Sequence, residues 1–561
     1  MKVNQWWKDK VVYQIYPRSF YDSNDDGFGD INGIIEKLPY LADLGVNIVW
    51  LSPVYDSPDD DNGYDIRDYY SISKKFGTME DMERLFEYAK IYNIKIMMDI
   101  VVNHTSDEHY WFQESKKSKN NRYRDYYIWK DPKEDNLPPN NWGSSFGGSA
   151  WELDKNTNQY YLHVFGKKQP DLNWENKELR KDIYSMMNFW IDKGVSGFRL
   201  DVINMISKHQ NFPEGKLRNN GWGRGSPYYY NGPRIHEFLK EMHNEVFKGN
   251  DLIVVGEMPR LTIEDAIKYT DPNRNELDMI FHFEHTRLGE GRQGKWTPEE
   301  WSLSELKKIM ADWQYGLNDK GWNSLYWSNH DQPRAISRFG NDSTEYREIS
   351  GKMLAICLHM HKGTPYIYQG EEIGMINPYF DNLYDYRDTE VINNYRQLTK
   401  SGYLNHNEMM KGIKERSRDT ARTPMQWNNE KNAGFSECTP WIPVNKSFTS
   451  VNVEKAKNDK NSIFYLYKKL VSLRQELSII VEGEYNIINL KDDEVYAFTR
   501  EYNNERLIVI CNFTDKKLVR DFKSYKINEE NILINNYNQF SKDNEGNIVL
   551  LPYQSLVFYN K

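Results

Sequence analysis

Eight short, near-continuously apolar runs recur along this 561-residue chain, and each is followed by sequence of helical periodicity. The runs are VVYQIYP from Val11, NIVWLSP from Asn47, IKIMMDIVV from Ile94, GVSGFRLDV from Gly194, LIVVGEM from Leu252, LDMIFHF from Leu277, WNSLYWSNHD from Trp322 and GTPYIYQGEE from Gly363. A strand that is apolar at successive positions has both faces buried, which is how parallel strands covered by helices read. In the helical stretch NKELRKDIYSMMNFWIDKG, Leu179, Ile183, Met187 and Trp190 fall on one face, and Gly194 stops the run. EYREISGKMLAICLHMHKG is expected to close the same way at Gly363. Eight strand-then-helix units are the count for a (β/α)8 barrel of the α/β class. An open doubly wound sheet is the alternative, but no glycine-rich dinucleotide fingerprint follows the first strand.

Two regions break the alternation. Roughly 70 residues follow the third strand, rich in Tyr, Trp, Asn and Gly, including NNWGSSFGGSAWELD and YYLHVFG. That is too long for a plain connection and predicts a subdomain, residues 105–174, inserted over the C-terminal face of the barrel. After about Val481 the pattern becomes short alternating runs: EYNIINL, EVYAFTREY, RLIVICNF, ILINNYN and SLVFYN. These predict a C-terminal antiparallel β-sandwich domain over 482–561. The barrel is then built from residues 1–104 and 175–481.

Composition excludes several function classes. The net charge is −9 with no basic stripe, so nucleic acid is not an expected partner. Cys357, Cys438 and Cys511 are far apart and odd in number; they form neither a metal spacing nor a disulfide framework, which fits a reducing cytoplasm. The segment MKVNQWWKDKVVYQIYP lacks the apolar core of a signal peptide. The longest apolar run, IKIMMDIVV, is too short to span a membrane. Expected partners reduce to a small-molecule substrate, with the chain acting as a monomer or weak homo-oligomer.

Three of the runs end in a lone carboxylate: Asp201 in GFRLDV, Glu257 in VVGEM and Asp331 in WSNHDQP. In a (β/α)8 barrel, C-terminal strand ends face one site. Asp99, Asn103 and His104 close the third strand, His330 precedes Asp331, and Arg199 lies two residues before Asp201, on the same side of its strand. One such acid alone is commonly a loop cap or salt-bridge partner, and one histidine a structural hydrogen-bonding residue. Together, with no redox or phosphate motif, they point to glycoside cleavage, which needs one carboxylate at the anomeric carbon and one protonated carboxyl at the leaving oxygen. Arg199 is expected to keep Asp201 ionised, as nucleophile. The apolar run before Glu257 suits a raised pKa and the acid/base role.

The segments DIVVNH, GFRLDV, VVGEM and SNHDQP resemble the four hallmark regions of the α-amylase family, glycoside hydrolase family 13. GVNIVWLSPVYDSP, QPDLNWEN and GTPYIYQGEEIGM resemble its secondary regions, and the resemblance covers essentially the whole chain. It implies Asp201 as nucleophile, Glu257 as acid/base, Asp331 as transition-state stabiliser, and retention through a covalent glucosyl-enzyme. The Asp201 and Glu257 carboxyls are then expected about 5–5.5 Å apart. His104, Arg199 and His330 match sugar-contacting and nucleophile-orienting positions. Within the family the chain is most similar to the oligo-1,6-glucosidases, dextran glucosidases and trehalose-6-phosphate hydrolases. In DDNGYDIRDY, Asp61 and Tyr64 match positions that close the pocket around a terminal glucose, and Arg422 in ARTPMQW matches the arginine that pairs with them. Such a pocket implies exo action. Val202 matches the valine carried by 1,6-acting enzymes, although it also reads as an ordinary β-branched strand residue.

The expected activity is therefore a retaining, exo-acting α-glucosidase on terminal α-1,6-linked glucose of short isomalto-oligosaccharides. Trehalose-6-phosphate hydrolysis is the alternative, with Lys167, Lys168 and Arg292 as candidate phosphate contacts. A sucrose isomerase ranks lower, because those enzymes tend to carry Thr where DVIN here has Val202, and an inactive barrel serving as a binding subunit ranks lower, because the carboxylate set is intact. No organic cofactor is expected. A metal is: in DSNDDGFGD, Asp22, Asn24, Asp26 and Asp30 alternate around Gly27, and the Phe28 carbonyl could add a ligand. Alternating oxygens on a tight turn suit a hard cation, Ca2+ or Mg2+, in a stabilising role.

Overall fold

The computed structural model describes residues 5–218 and 221–561; residues 1–4, the start of the N-terminal segment read above, lie outside the described residues. Eight parallel strands form the centre: β1 Val12–Ile15, β2 Ile48–Leu51, β3 Lys95–Val101, β4 Gly197–Asp201, β5 Ile253–Glu257, β6 Met279–Phe281, β7 Ser324–Leu325 and β8 Thr364–Tyr368. They hydrogen-bond in the order β6-β5-β4-β3-β2-β1-β8-β7. A parallel bridge between Ile280 and Asn323 closes β6 onto β7, making a barrel.

Alternate residues of one strand serve two cores, which is why the runs read as continuously apolar. On β2, Ile48 and Trp50 point into the barrel with Met97, Ile253, Val255, Met279 and Phe281. Val49 and Leu51 point outward, into the layer shared with the helices. That layer holds α1 Ile31–Leu44, α2 Met79–Ile91, α3 Lys177–Lys193, α4 Ile235–Met242, α5 Ile263–Thr270, α6 Leu303–Leu317, α7 Arg347–His359 and α8 Ile463–Glu476.

Helix ends follow local chemistry. Asp30 caps α1 by accepting the Gly33 N–H at 2.7 Å. Thr78 and Ser302 form capping boxes on α2 and α6. Gly194 ends α3 in the left-handed region, as its sequence predicts. α7 differs: it stops at His359 with Met360 as its cap, and Gly363 instead opens β8 at φ 142. A Cβ on Gly363 would lie 2.6 Å from the carbonyl of Asn323, just before β7, so close strand packing, not helix capping, requires the glycine.

After β3 the inserted residues form an antiparallel sheet in which Gln159–Leu162 pairs with Trp129–Lys130 and Trp151–Asp154. The C-terminal part carries a five-stranded antiparallel sheet, Glu484–Ile488, Val495–Tyr502, Glu505–Asn512, Ser555–Asn560 and Ile532–Asn535 in that order. A smaller sheet of Leu518–Arg520, Ile548–Leu550 and Ser541–Lys542 completes a sandwich-like unit. Among the described residues no helix is long and apolar enough to cross a membrane.

Candidate active site

Strand parity decides which side chains enter the barrel. On β4, Phe198 and Leu200 join the outer core, so Arg199 and Asp201 face inward. Glu257 has the parity of Ile253 and Val255, and Asp99 that of Met97, all inward-facing. Register then brings the groups level, with Arg199 opposite Asp99 on one side and Val255 on the other.

The Arg199 guanidinium, 1% exposed, is the hub. Its Nη1 donates to Asp99 at 2.8 Å and Asp201 at 2.6 Å, and its Nη2 lies 2.8 Å from Glu257. One cation cannot offset three buried acids, and burial pushes the carboxyls up: Asp99 to about 6, Asp201 to about 7 and Glu257 to about 8. Arg199 is expected from the sequence to keep Asp201 ionised, but desolvation outweighs it and lifts the carboxyl to about 7. The order of the two reacting groups survives, since Asp201 gives up its proton before Glu257 does.

Asp331 lies beyond β7, because the strand ladder stops at Leu325 while the chain runs on, largely buried, to the site. Burial opposes its ionisation, but His330, Arg418 and Arg422 outweigh burial and hold it well below the carboxylate range. His330 is itself pushed down to about 3 by burial, so at neutral pH the arginines carry the effect. Arg422 Nη2 is 2.5 Å from Asp331 and Arg418 Nη1 3.6 Å. The Gln14 amide meets His330 Nδ1 at 2.7 Å, which leaves the ring proton on Nε2, 2.6 Å from the Tyr64 hydroxyl. That hydroxyl donates to Asp99 at 3.0 Å, and the Tyr64 and His330 rings stack. Tyr64 thus joins the Asp331 loop to the Arg199 hub.

Asp61 closes one end of the site, and its partner corrects the sequence reading. Arg418, not Arg422, reaches it, with Nη2 at 3.2 Å. Arg418 also grips Asp388 through Nη2 at 2.6 Å and Nε at 2.7 Å, and stands over the Phe146 ring. Arg422 is taken by Asp331 and the His330 carbonyl. Burial raises Asp61 to about 6 against the pull of Arg418. Gln169 bridges Asp61 at 3.1 Å and His104 at 3.3 Å, and Phe165 packs on His104. Beneath them the buried Lys208 ammonium joins Asn103 at 2.9 Å to Asp171 at 3.0 Å. Sequence reasoning missed Arg418, Asp388, Phe165 and Lys208; Gln169 and Asp171 lay inside QPDLNWEN without assigned roles. The available signal for Arg418 was a second arginine one turn before Arg422.

Val202 is not a strand residue. It turns left-handed at φ 35, ψ 40 and donates its N–H to Glu257 Oε2 at 3.1 Å. For a β-branched residue that conformation costs on the order of 1–3 kcal/mol. On the Glu257 side stand Tyr230 and Arg260. A cavity of about 260 Å3 there is lined by Ser144, Arg218, Tyr230, Arg260, Gln293 and Gln397, among others, with no carboxylate among the described residues lining it. Lys167 and Lys168 do not line it: they pair with Glu152 and Glu108. Arg292 is exposed in a hairpin turn.

The loop from Asp22 to Asp30 lies apart from these groups. Asp22 accepts N–H groups of Asn24, Asp25 and Gly27, Asn24 that of Asp26, and Asp26 that of Phe28. Its side chains offer oxygens, the ligand type a hard cation takes, although among the described residues no three acidic, histidine or cysteine side chains gather as a metal site.

A family profile described as "Alpha amylase, catalytic domain" matches residues 14–483, and one described as "Alpha-amylase SusG C-terminal domain" matches 495–557. The chain belongs to the α-amylase family. It is accordingly an enzyme, a glycoside hydrolase. It is 55% identical to an oligo-1,6-glucosidase of Parageobacillus thermoglucosidasius, covering 99% of this chain and 98% of that one. The solved trehalose-6-phosphate hydrolase of Bacillus licheniformis is 50% identical, with a TM-score of 0.92, covering 99% and 100% of the two chains. The isomaltulose synthase of Klebsiella sp. LX3 is 41% identical, with a TM-score of 0.95 and full coverage of both.

Proposed function

We propose that this enzyme is an exo-acting, retaining α-glucosidase that removes terminal α-1,6-linked glucose from isomalto-oligosaccharides. The observation that carries the mechanism is the Asp201–Glu257 pair, each held by a different terminal nitrogen of one buried guanidinium. Two carboxyls bridged by one guanidinium are held close together, which supports the retaining spacing of about 5–5.5 Å over the wider inverting one. Ionised Asp201 attacks the anomeric carbon while Glu257 gives its proton to the leaving oxygen. Asp331 accepts sugar hydroxyls whose hydrogen bonds tighten as the ring flattens. Glu257, now a carboxylate, takes a proton from the water that releases glucose. Exo action is supported by the closed end made by Asp61, Arg418, Gln169 and His104. The 1,6 linkage is supported by the likeness to oligo-1,6-glucosidases and by Val202 beside Asp201. A second reading, trehalose-6-phosphate hydrolysis, is favoured by Arg218 and Arg260, which line one cavity with Tyr230, since guanidiniums suit a phosphate.

A hydrolysis panel of isomaltose, maltose, sucrose, trehalose and trehalose 6-phosphate tests both. Isomaltose should be turned over fastest; preference for trehalose 6-phosphate would replace the first reading with the second. Glu257→Gln should lower kcat for isomaltose by at least about 100-fold with the fold intact. We further propose a structural Ca2+ or Mg2+ held by Asp22, Asn24, Asp26, the Phe28 carbonyl and Asp30, where it would rigidify the loop. A cytoplasmic location is our reading too, supported by three cysteines that stay free thiols.

A further inference from the structure

Among the described residues between nucleophile and acid/base, Val202 is the one whose backbone is strained and whose amide touches the proton-transfer group. We propose that Val202 is a positioning residue for proton transfer, its packed side chain locking a left-handed backbone that aims the amide N–H at Glu257.

Three observations carry this. First, the strand carrying Asp201 ends there, and Val202 turns at once to φ 35, ψ 40, where valine is rarely found. Such a conformation persists only where the surroundings over-determine it. Second, the surroundings do so. The Val202 side chain, 8% exposed, packs in an apolar cluster with Ile128, Trp142, Met205 and Tyr229. Its carbonyl accepts the Met205 N–H at 2.9 Å, closing the turn. Asn204 donates to the Pro259 carbonyl at 2.9 Å, tying that turn to the segment just after Glu257. Third, the amide has a defined target. Glu257 Oε1 faces Arg199 and Oε2 accepts the Val202 N–H at 3.1 Å, so the carboxyl is fixed at both oxygens. A hydrogen bond to the charged form lowers the pKa. The amide therefore eases the loss of the proton to the glycosidic oxygen and stabilises the carboxylate left behind. Burial drives Glu257 upward, and this amide opposes it.

This rests on Glu257 as acid/base, so the experiment separates the two assignments. Aryl α-glucosides of graded leaving-group acidity would be assayed with the full-length enzyme, wild type and Val202→Gly. The glycine accepts the backbone angle but removes the packed lock. Poor leaving groups, which need the proton, should lose about tenfold in kcat/KM, while p-nitrophenyl α-glucoside, which does not, should lose much less. The alkaline limb of kcat/KM should move up by roughly half to one pH unit. Val202→Thr, with the same branched shape, should return the limb to the wild-type position. If Val202→Gly is unstable, Val202→Ala, which trims the lock and keeps a Cβ, should show the same leaving-group dependence. Equal losses across the series with an unmoved limb would overturn the proposal. If Glu257→Gln retains wild-type activity on poor leaving groups, the acid/base assignment itself falls.

Discussion

At the scale of residues, one guanidinium organises the chemistry. Arg199 faces three acids that burial lifts into the neutral range, and the two reacting groups end about one unit apart, Asp201 near 7 and Glu257 near 8. Turnover needs Asp201 ionised and Glu257 protonated. The kcat/KM profile should therefore be a narrow bell, falling below about pH 7 as Asp201 takes a proton and above about pH 8 as Glu257 loses one. Activity measured from pH 5 to 10 checks it; a flat plateau across that range would contradict the assignment. At the other end of the pocket, Arg418 binds Asp388 through two nitrogens while touching Asp61. Lysine has the charge but not the fork. Arg418→Lys should raise KM for isomaltose by about tenfold or more, with a smaller change in kcat. Steady-state kinetics would read this directly, and an unchanged KM would remove Arg418 from the glucose pocket.

At the scale of elements, strand parity and loop anchoring do most of the placing. A one-residue shift on β4 would turn Arg199 and Asp201 toward the helices, and Gly197 fixes the register. A Cβ there would fall 2.4 Å from the Ile253 side chain on β5. The loop after β1 is anchored from both ends. Asp30 caps α1, and Gly27, at φ 91, lies so close to the Thr439 carbonyl that a Cβ would sit 2.4 Å from it. With the proposed cation in this loop, EDTA should lower the melting temperature by several degrees and leave kcat nearly unchanged when assayed below that temperature. Calorimetry with and without chelator measures the shift, and identical melting curves would count against the metal.

At the scale of the whole molecule, the barrel and the C-terminal sheets are joined by buried polar contacts as well as by packing. Lys307 on α6 is fully buried and donates to the carbonyls of Asn489, Asp492 and Val495 at 2.7, 2.8 and 3.0 Å. Arg500 reaches the Met360 carbonyl behind α7 at 2.7 Å. Lys307→Met would strand those carbonyls, costing about 1–3 kcal/mol. Thermal unfolding should then begin a few degrees lower while kcat stays at the wild-type value; an unmoved transition would mean the ammonium contributes nothing to the join. The barrel, the inserted sheet, the C-terminal sandwich and the inward acids were legible in the sequence, because apolar runs and strand parity are local properties of the chain. That Arg199, Asp201 and Glu257 share one cluster followed from strand position and parity, whereas Asp331 reaches it from the segment beyond β7. Local pattern could not say that Arg418 rather than Arg422 meets Asp61, that burial overrides Arg199 at Asp201, or that Val202 leaves the strand. Those outcomes depend on which groups are brought within hydrogen-bonding distance across hundreds of residues, and on how much water is excluded there. Chain order fixes neither, and only the folded barrel decides them.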